Sequence, residues 1–126
     1  MARDFRSIVA WQKADDLAVE VYRRTGALVR GGYSDLVRQL RSAAVSVPAN
    51  LAEGSGRSST VDFRRFLYQA QGSLSEVEYY LHLVGRLNAL DPASLKDLRV
   101  LRSEVGKTLG GLIRSLSNAR PPSRPA

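Results

Sequence analysis

Thr60–Leu90, TVDFRRFLYQAQGSLSEVEYYLHLVGRLNAL, sets Phe63, Leu67, Ala70, Leu74, Val77, Leu81 and Val84 at alternating steps of four and three. That alternation is a heptad seam, the mark of a helix packed lengthwise against other helices. Ser59, with Asp62 three residues on, has the form of a capping box with Asp in the Glu position. A helix over the whole stretch would be about 45 Å long at 1.5 Å per residue. One apolar seam cannot shield itself, so the stretch needs partners.

Three further helical segments supply them. Upstream, Val9 to Arg30 carries Ala14, Leu17, Ala18, Val21, Thr25 and Leu28 at helical spacing and stops at Gly31-Gly32. Ser34 to Gly54 follows, with Ser34 placed as N-cap and an apolar stripe of Leu36, Leu40, Ala43, Ala44, Val47 and Leu51. Pro48 falls inside that stripe; it lacks a backbone donor and predicts a kink or break. Ser42 and Ser46 are placed to satisfy the freed carbonyls. Downstream, Asp91-Pro92 is an N-cap followed by Pro at the first helical position. It opens a helix with Leu95, Leu98, Leu101, Val105, Leu109, Leu112 and Leu116 inward. No strand pattern competes. Four amphipathic helices with short connections predict an all-α fold, an antiparallel up-down-up-down four-helix bundle over residues 1–118. The remainder, 119–126, contains Arg120-Pro121-Pro122-Ser123-Arg124-Pro125-Ala126 and reads as a disordered basic tail.

Composition excludes several functions. The 126 residues contain no cysteine, which rules out disulfides, thiol catalysis and thiolate metal sites. The start, Met1-Ala2-Arg3-Asp4-Phe5-Arg6, leads into no long apolar run and predicts no signal peptide. No run approaches the roughly 20 apolar residues of a membrane span, so the expected location is cytoplasmic. A di-iron bundle needs two Glu-x-x-His motifs and two more Glu. There is one histidine, His82, with Glu78 four residues before it at helix-surface spacing. Glu76 and Glu78 point to different faces of a helix and are no acid/base pair. Gly54-Ser55-Gly56-Arg57 lacks the Lys-Ser/Thr ending of a phosphate loop and reads as a turn. No catalytic, cofactor or metal residue emerges, and no small-molecule substrate; the expectation is a protein that is not an enzyme.

Two sets of polar residues remain. Gln39, Ser42, Ser46, Asn50 and Glu53 form a second stripe on the second helix; Gln69, Ser73, Glu76 and Tyr80 do so on the third. Each is either a boundary layer around the core or a close helix contact between subunits. Trp11, Tyr68, Tyr79 and Tyr80 add aromatic surface of the kind interfaces favour. Asn50 and Glu53 lie past Pro48, and Glu near a helix C-terminus opposes the dipole. They read either as a structural polar network, with Arg57 or Arg41 holding the carboxylate, or as a ligand site.

The second set is basic. The net charge is +7, and residues 91–126 carry seven basic against three acidic groups. On the fourth helix Lys96, Lys107 and Arg114 fall within roughly 20° of one another at 100° per residue. Arg99 lies about 60° to one side, and only Asp97 and Glu104 are acidic neighbours. Such a stripe is either a solvated face or a phosphate-backbone surface for RNA or DNA. No aromatic is interleaved with it as single-strand binding would want.

The motifs resemble a known family. They are Trp11-Gln12-Lys13-Ala14, then Gln39 to Gly54 with its Ser46-Val47-Pro48-Ala49-Asn50-Leu51-Ala52-Glu53-Gly54, Arg57-Ser58, Asp62 to Tyr68, and Gly72 to Glu78. Over residues 5 to about 116 the chain is similar to the four-helix-bundle family encoded by intervening sequences in bacterial 23S ribosomal RNA genes. More distantly it is similar to the accessory protein of diversity-generating retroelements, a basic pentamer that works with a reverse transcriptase and RNA. The resemblance implies an antiparallel bundle in a ring-like homo-oligomer, a pentamer, and no firm activity. In a closed ring a modest basic stripe is repeated by every subunit into a strong field. Two functions follow as expectations: an oligomer associated with RNA or DNA through the fourth helix, or an oligomeric protein–protein scaffold with no nucleic-acid role.

Overall fold

The computed structural model describes residues 3–118. The expected tail, 119–126, lies outside the described residues. A 3-10 turn at Phe5–Ser7 precedes α1 (Val9–Arg24), α2 (Gly26–Arg30), α3 (Ser34–Ser55), α4 (Thr60–Arg86) and α5 (Pro92–Asn118). The long helices α1, α3, α4 and α5 are the four sides of a bundle. Each packs on its two neighbours, and no Cα of α1 comes within 8 Å of α4, nor of α3 within 8 Å of α5. Cross-helix contacts show the directions. Ser46 meets Ser73 while Gln39 meets Tyr80, so α3 and α4 are antiparallel. Arg24 meets Asp97 while Lys13 meets Glu104, so α1 and α5 are too.

The predicted seam is the core. Phe63, Leu67, Ala70, Leu74, Val77, Leu81 and Val84 are all buried, at 3% exposure or less. They face Leu17 and Val21 of α1, Leu40, Val47 and Leu51 of α3, and Leu98, Val105 and Leu109 of α5. Two predicted caps form. Ser59 Oγ accepts from the Asp62 N–H at 3.1 Å. Asp91 Oδ2 accepts from the Ser94 N–H at 2.9 Å. That backbone bond is the main reason the Asp91 carboxyl is held below the ordinary aspartate range.

Five local expectations need correction. The first segment is not one helix over Val9–Arg30: it breaks at Thr25, between α1 and α2. The fully buried Thr25 hydroxyl donates to the Val21 carbonyl at 2.7 Å, and Gly26, a poor helix former, follows. Ser34 is not the N-cap of α3; Tyr33 holds that position, without a side-chain cap. The α2 end is a Schellman turn in which Gly32 takes φ +95° and the Tyr33 N–H reaches the Leu28 carbonyl, and this pulls the chain into α3 one residue earlier. Of the kink or break expected at Pro48, the break does not occur: α3 runs on to Ser55 with the Pro48 ring buried, and burial of the stripe on both sides outweighs the lost bond. Ser46 does not turn to a freed carbonyl, because its hydroxyl is held by Ser73 at 2.8 Å. Finally, α4 stops at Arg86, not Leu90. Asn88 takes φ +52° in a second Schellman turn, with the Ala89 N–H on the Val84 carbonyl.

Where α3 crosses the start of α4, the helices touch at Gly54. A Cβ there would sit 2.7 Å from Phe66 Cβ and 3.0 Å from Phe63 Cδ1. Gly54→Ala gains about 1 kcal/mol of helix propensity. Overpacking against a rigid neighbour costs about 1–3 kcal/mol, so the net is a loss. Thermal unfolding should show a lowered midpoint; a raised one would mean the crossing relaxes freely.

Candidate nucleic-acid interface

The basic stripe survives folding as a surface. Lys96, Arg99, Lys107 and Arg114 are all exposed on α5. The core residues of α5 occupy the opposite side, as the spacing requires. Their acidic neighbours are turned away. Asp97 is bound by Arg24 of α1 at 2.7 Å, and Glu104 by Lys13 of α1 at 3.7 Å. Asp97 and then Glu20 hold the Arg24 guanidinium even more firmly protonated than usual. Among the described residues, none of Lys96, Arg99, Lys107 and Arg114 makes an ion pair.

Several other arginines are paired within the chain. Arg23 and Arg24 both bind Glu20, at 3.2 and 3.1 Å. Arg65 takes Asp62 at 2.7 Å. Arg102, also on α5, takes Glu78 of α4 at 3.4 Å. A concavity of about 690 Å³ between α1 and α5 is an open groove where Glu20, Arg23, Arg24 and Asp97 meet. It presents closed ion pairs rather than convergent free groups.

Part of the second stripes meets inside the chain. Ser46 and Ser73 bond to each other, and the Tyr80 hydroxyl reaches Gln39 Oε1 at 3.5 Å, all within one chain. Asn50 donates to the Ser46 carbonyl and hydroxyl, at 2.8 and 3.0 Å. These residues form a polar boundary layer of the α3–α4 contact. Asn50 and Glu53 are not one network: Glu53 points outward and pairs with Arg57 at 3.1 Å. Arg41 is elsewhere, donating to Thr25 Oγ1 and the Tyr22 carbonyl at the end of α1. Arg57 also lies 3.8 Å from Asp62 and 4.7 Å from the Phe66 ring centroid, so it latches the end of α3 to the start of α4. Ser42 and Glu76 are exposed. Trp11 is half-buried, edge-on to Phe5 at 4.9 Å, whereas Tyr68 and Tyr79 remain exposed.

Residues 6–111 match the family model described as 23S rRNA-intervening sequence protein. The chain belongs to that family. Its fold is shared by a crystal structure from Bacteroides thetaiotaomicron VPI-5482, of a protein with unknown function from the S23 ribosomal protein family. The two are 24% identical with a TM-score of 0.79, covering 84% of this chain and 99% of that one. No curated protein matches. Membership of the 23S rRNA-intervening sequence protein family accounts for the bundle. It assigns no chemistry to the stripe.

One group escaped the sequence reading. His82 of α4 lines a cleft with Arg99 and Arg102 of α5, and the Tyr79 ring lies 6.4 Å from the His82 ring, so one ring adjoins the basic face and a second flanks it. The i, i+3 spacing of Tyr79 and His82 was visible, but nothing in the sequence aligns α4 with α5. Among the described residues no three histidine or acidic side chains group as a metal site. No helix among them is long and apolar enough to cross a membrane.

Proposed function

We propose that this chain is a non-enzymatic, nucleic-acid-associated protein of the 23S rRNA-intervening sequence family that binds phosphate backbone through α5. The observation that carries the reading is the pairing pattern. Asp97 and Glu104 are bound by α1, and Lys96, Arg99, Lys107 and Arg114 are exposed and make no ion pair among the described residues. The three cations in line, from Lys96 to Arg114, span about 27 Å at 1.5 Å per residue, long enough to meet several phosphates. Binding of this kind is driven by counterion release and carries little sequence preference. Fluorescence anisotropy with a structured RNA at two salt concentrations tests it. Binding should be measurable at low salt and fall steeply at high salt. Wild-type protein that ignores both RNA and DNA at low salt would end the reading.

A second reading concerns assembly, and a separate observation favours it. Ser42, Val45 and Ala49 form an exposed, uncharged face of small residues on α3, where helices of neighbouring subunits could approach closely. We infer a homo-oligomer, with a pentameric ring as the expected size; without nucleic-acid binding the same assembly would be a protein–protein scaffold. Sedimentation equilibrium should give a mass several times 13.8 kDa. Ala49→Arg should return the protein to the monomer with its helicity intact, since the position is exposed. Ser46 does not serve this test, because it is bonded to Ser73 inside the chain. A monomeric wild type at micromolar concentration would rule the assembly out.

A further inference from the structure

The cleft between α4 and α5 combines groups that the stripe alone lacks. Its volume is about 250 Å³, and Leu81, His82, Glu78, Arg99 and Arg102 line it. Arg99 reaches it because Gly85 has no side chain: a Cβ there would lie 3.0 Å from Arg99 Nη2. Glu78 binds Arg102 at 3.4 Å and steadies that wall, while Arg99 makes no ion pair among the described residues. Just outside, the Tyr79 ring lies 6.4 Å from the His82 ring at an interplanar angle of 31°. Tyr79 is 56% exposed, and Tyr80 supports it edge-on at 5.7 Å. The exposed His82 ring, with Tyr79 beside it, thus shares the cleft with an unpaired guanidinium; rings near a cation are the arrangement that holds single strands, the base stacking on the rings and the phosphate meeting the cation.

We propose that this cleft holds one unstacked nucleotide of a single-stranded nucleic acid, with its base on Tyr79 and His82 and its phosphate on Arg99. The proposal rests on the reading of α5 as a phosphate surface and names its substrate class. Lys96 is one turn before Arg99 on α5, so a strand leaving the cleft passes directly onto the stripe. Paired bases within a duplex hide their faces in the stack, so a duplex engages the stripe but not the rings. RNA and DNA single strands offer the same base face and phosphate.

The test is fluorescence anisotropy at one fixed low salt concentration. The probes are oligo(A) RNA, oligo(A) DNA and a blunt RNA duplex of equal length. Wild type should prefer at least one single strand over the duplex. Tyr79→Ala should weaken single-strand binding roughly 5- to 100-fold, the usual loss for one stacking ring, and leave duplex binding within about twofold. Tyr79→Phe keeps the ring and should bind as wild type does, and circular dichroism checks that both variants are helical. Equal affinity of wild type for all three probes, or a Tyr79→Ala variant that loses nothing on single strands, would overturn the nucleotide site while leaving the phosphate surface standing. No binding of any probe by wild type would instead remove the phosphate surface, and the cleft proposal with it.

Discussion

Phe63→Ala is expected to remove about 3–5 kcal/mol of stability, the usual cost of emptying a large buried aromatic site. Phe63 is 1% exposed and sits where three parts of the chain meet. Its ring lies against Gly54 at the end of α3, and the Arg3 guanidinium covers it 4.4 Å from the centroid. Arg3 is itself tied down, its N–H on the Ser55 carbonyl at 3.1 Å and its guanidinium on the Arg57 carbonyl at 3.2 Å. Losing the ring therefore leaves a cavity at the α3–α4 crossing and strips the N-terminal segment of its seat. For a domain whose total stability is about 5–15 kcal/mol, that is a large fraction. Urea unfolding should show a lower midpoint with little change of slope. Tyr68→Ala, at a position 52% exposed, is the control and should stay within about 0.5 kcal/mol of wild type. A Phe63→Ala loss below about 1 kcal/mol would mean that the crossing collapses around the gap.

Replacing Lys96, Lys107 and Arg114 together with Ser is expected to produce the largest functional change. Every phosphate that is no longer neutralised lowers the slope of log affinity against log salt by about 0.9 on duplex DNA and about 0.7 on single strands. Three phosphates therefore amount to roughly 2–3 units of slope, and affinity should fall alike for all sequences. The fold should survive, because the three side chains are exposed and make no ion pair among the described residues. Removing Arg23 instead should matter little for binding, since Glu20 already neutralises it at 3.2 Å. Salt titrations with RNA and DNA check both statements. Unchanged slope in the triple variant would shift the binding surface to other cations, with Arg64 and Arg65 of α4 next in line.

The elements themselves were legible because their signals are local. The heptad in Thr60–Leu90, the Asp91-Pro92 start and the Ser59 cap each depend on spacing within a few turns, and each reappears as buried seam or formed cap. The misreadings fell where tertiary contacts decide. The stripe of Ser34–Gly54 already ran through Pro48, but whether the helix breaks at the lost bond depends on burial on either side, which the spacing alone does not give. The break at Thr25 rests on a side chain turned back onto Val21 and on Arg41, sixteen residues away, donating to the same hydroxyl at 3.0 Å.

The sequence by itself determined the all-α class, the helix seams, the family and the basic face of α5, because hydrophobic period and charge position survive any packing that buries the seam. Only the tertiary structure decided which polar residues meet. It brought parts of the second stripes together, Ser46 on Ser73 and Tyr80 on Gln39, and sent Glu53 out to Arg57. It gave Asp97 and Glu104 to α1, leaving the stripe unpaired, and it slid α4 along α5 until His82 stood beside Arg99. The physical reason is register. A helix states in its own sequence which face is apolar, but which residue of its neighbour lies opposite is set by interlocking side chains across the bundle, and every charge pair and aromatic contact between helices depends on that.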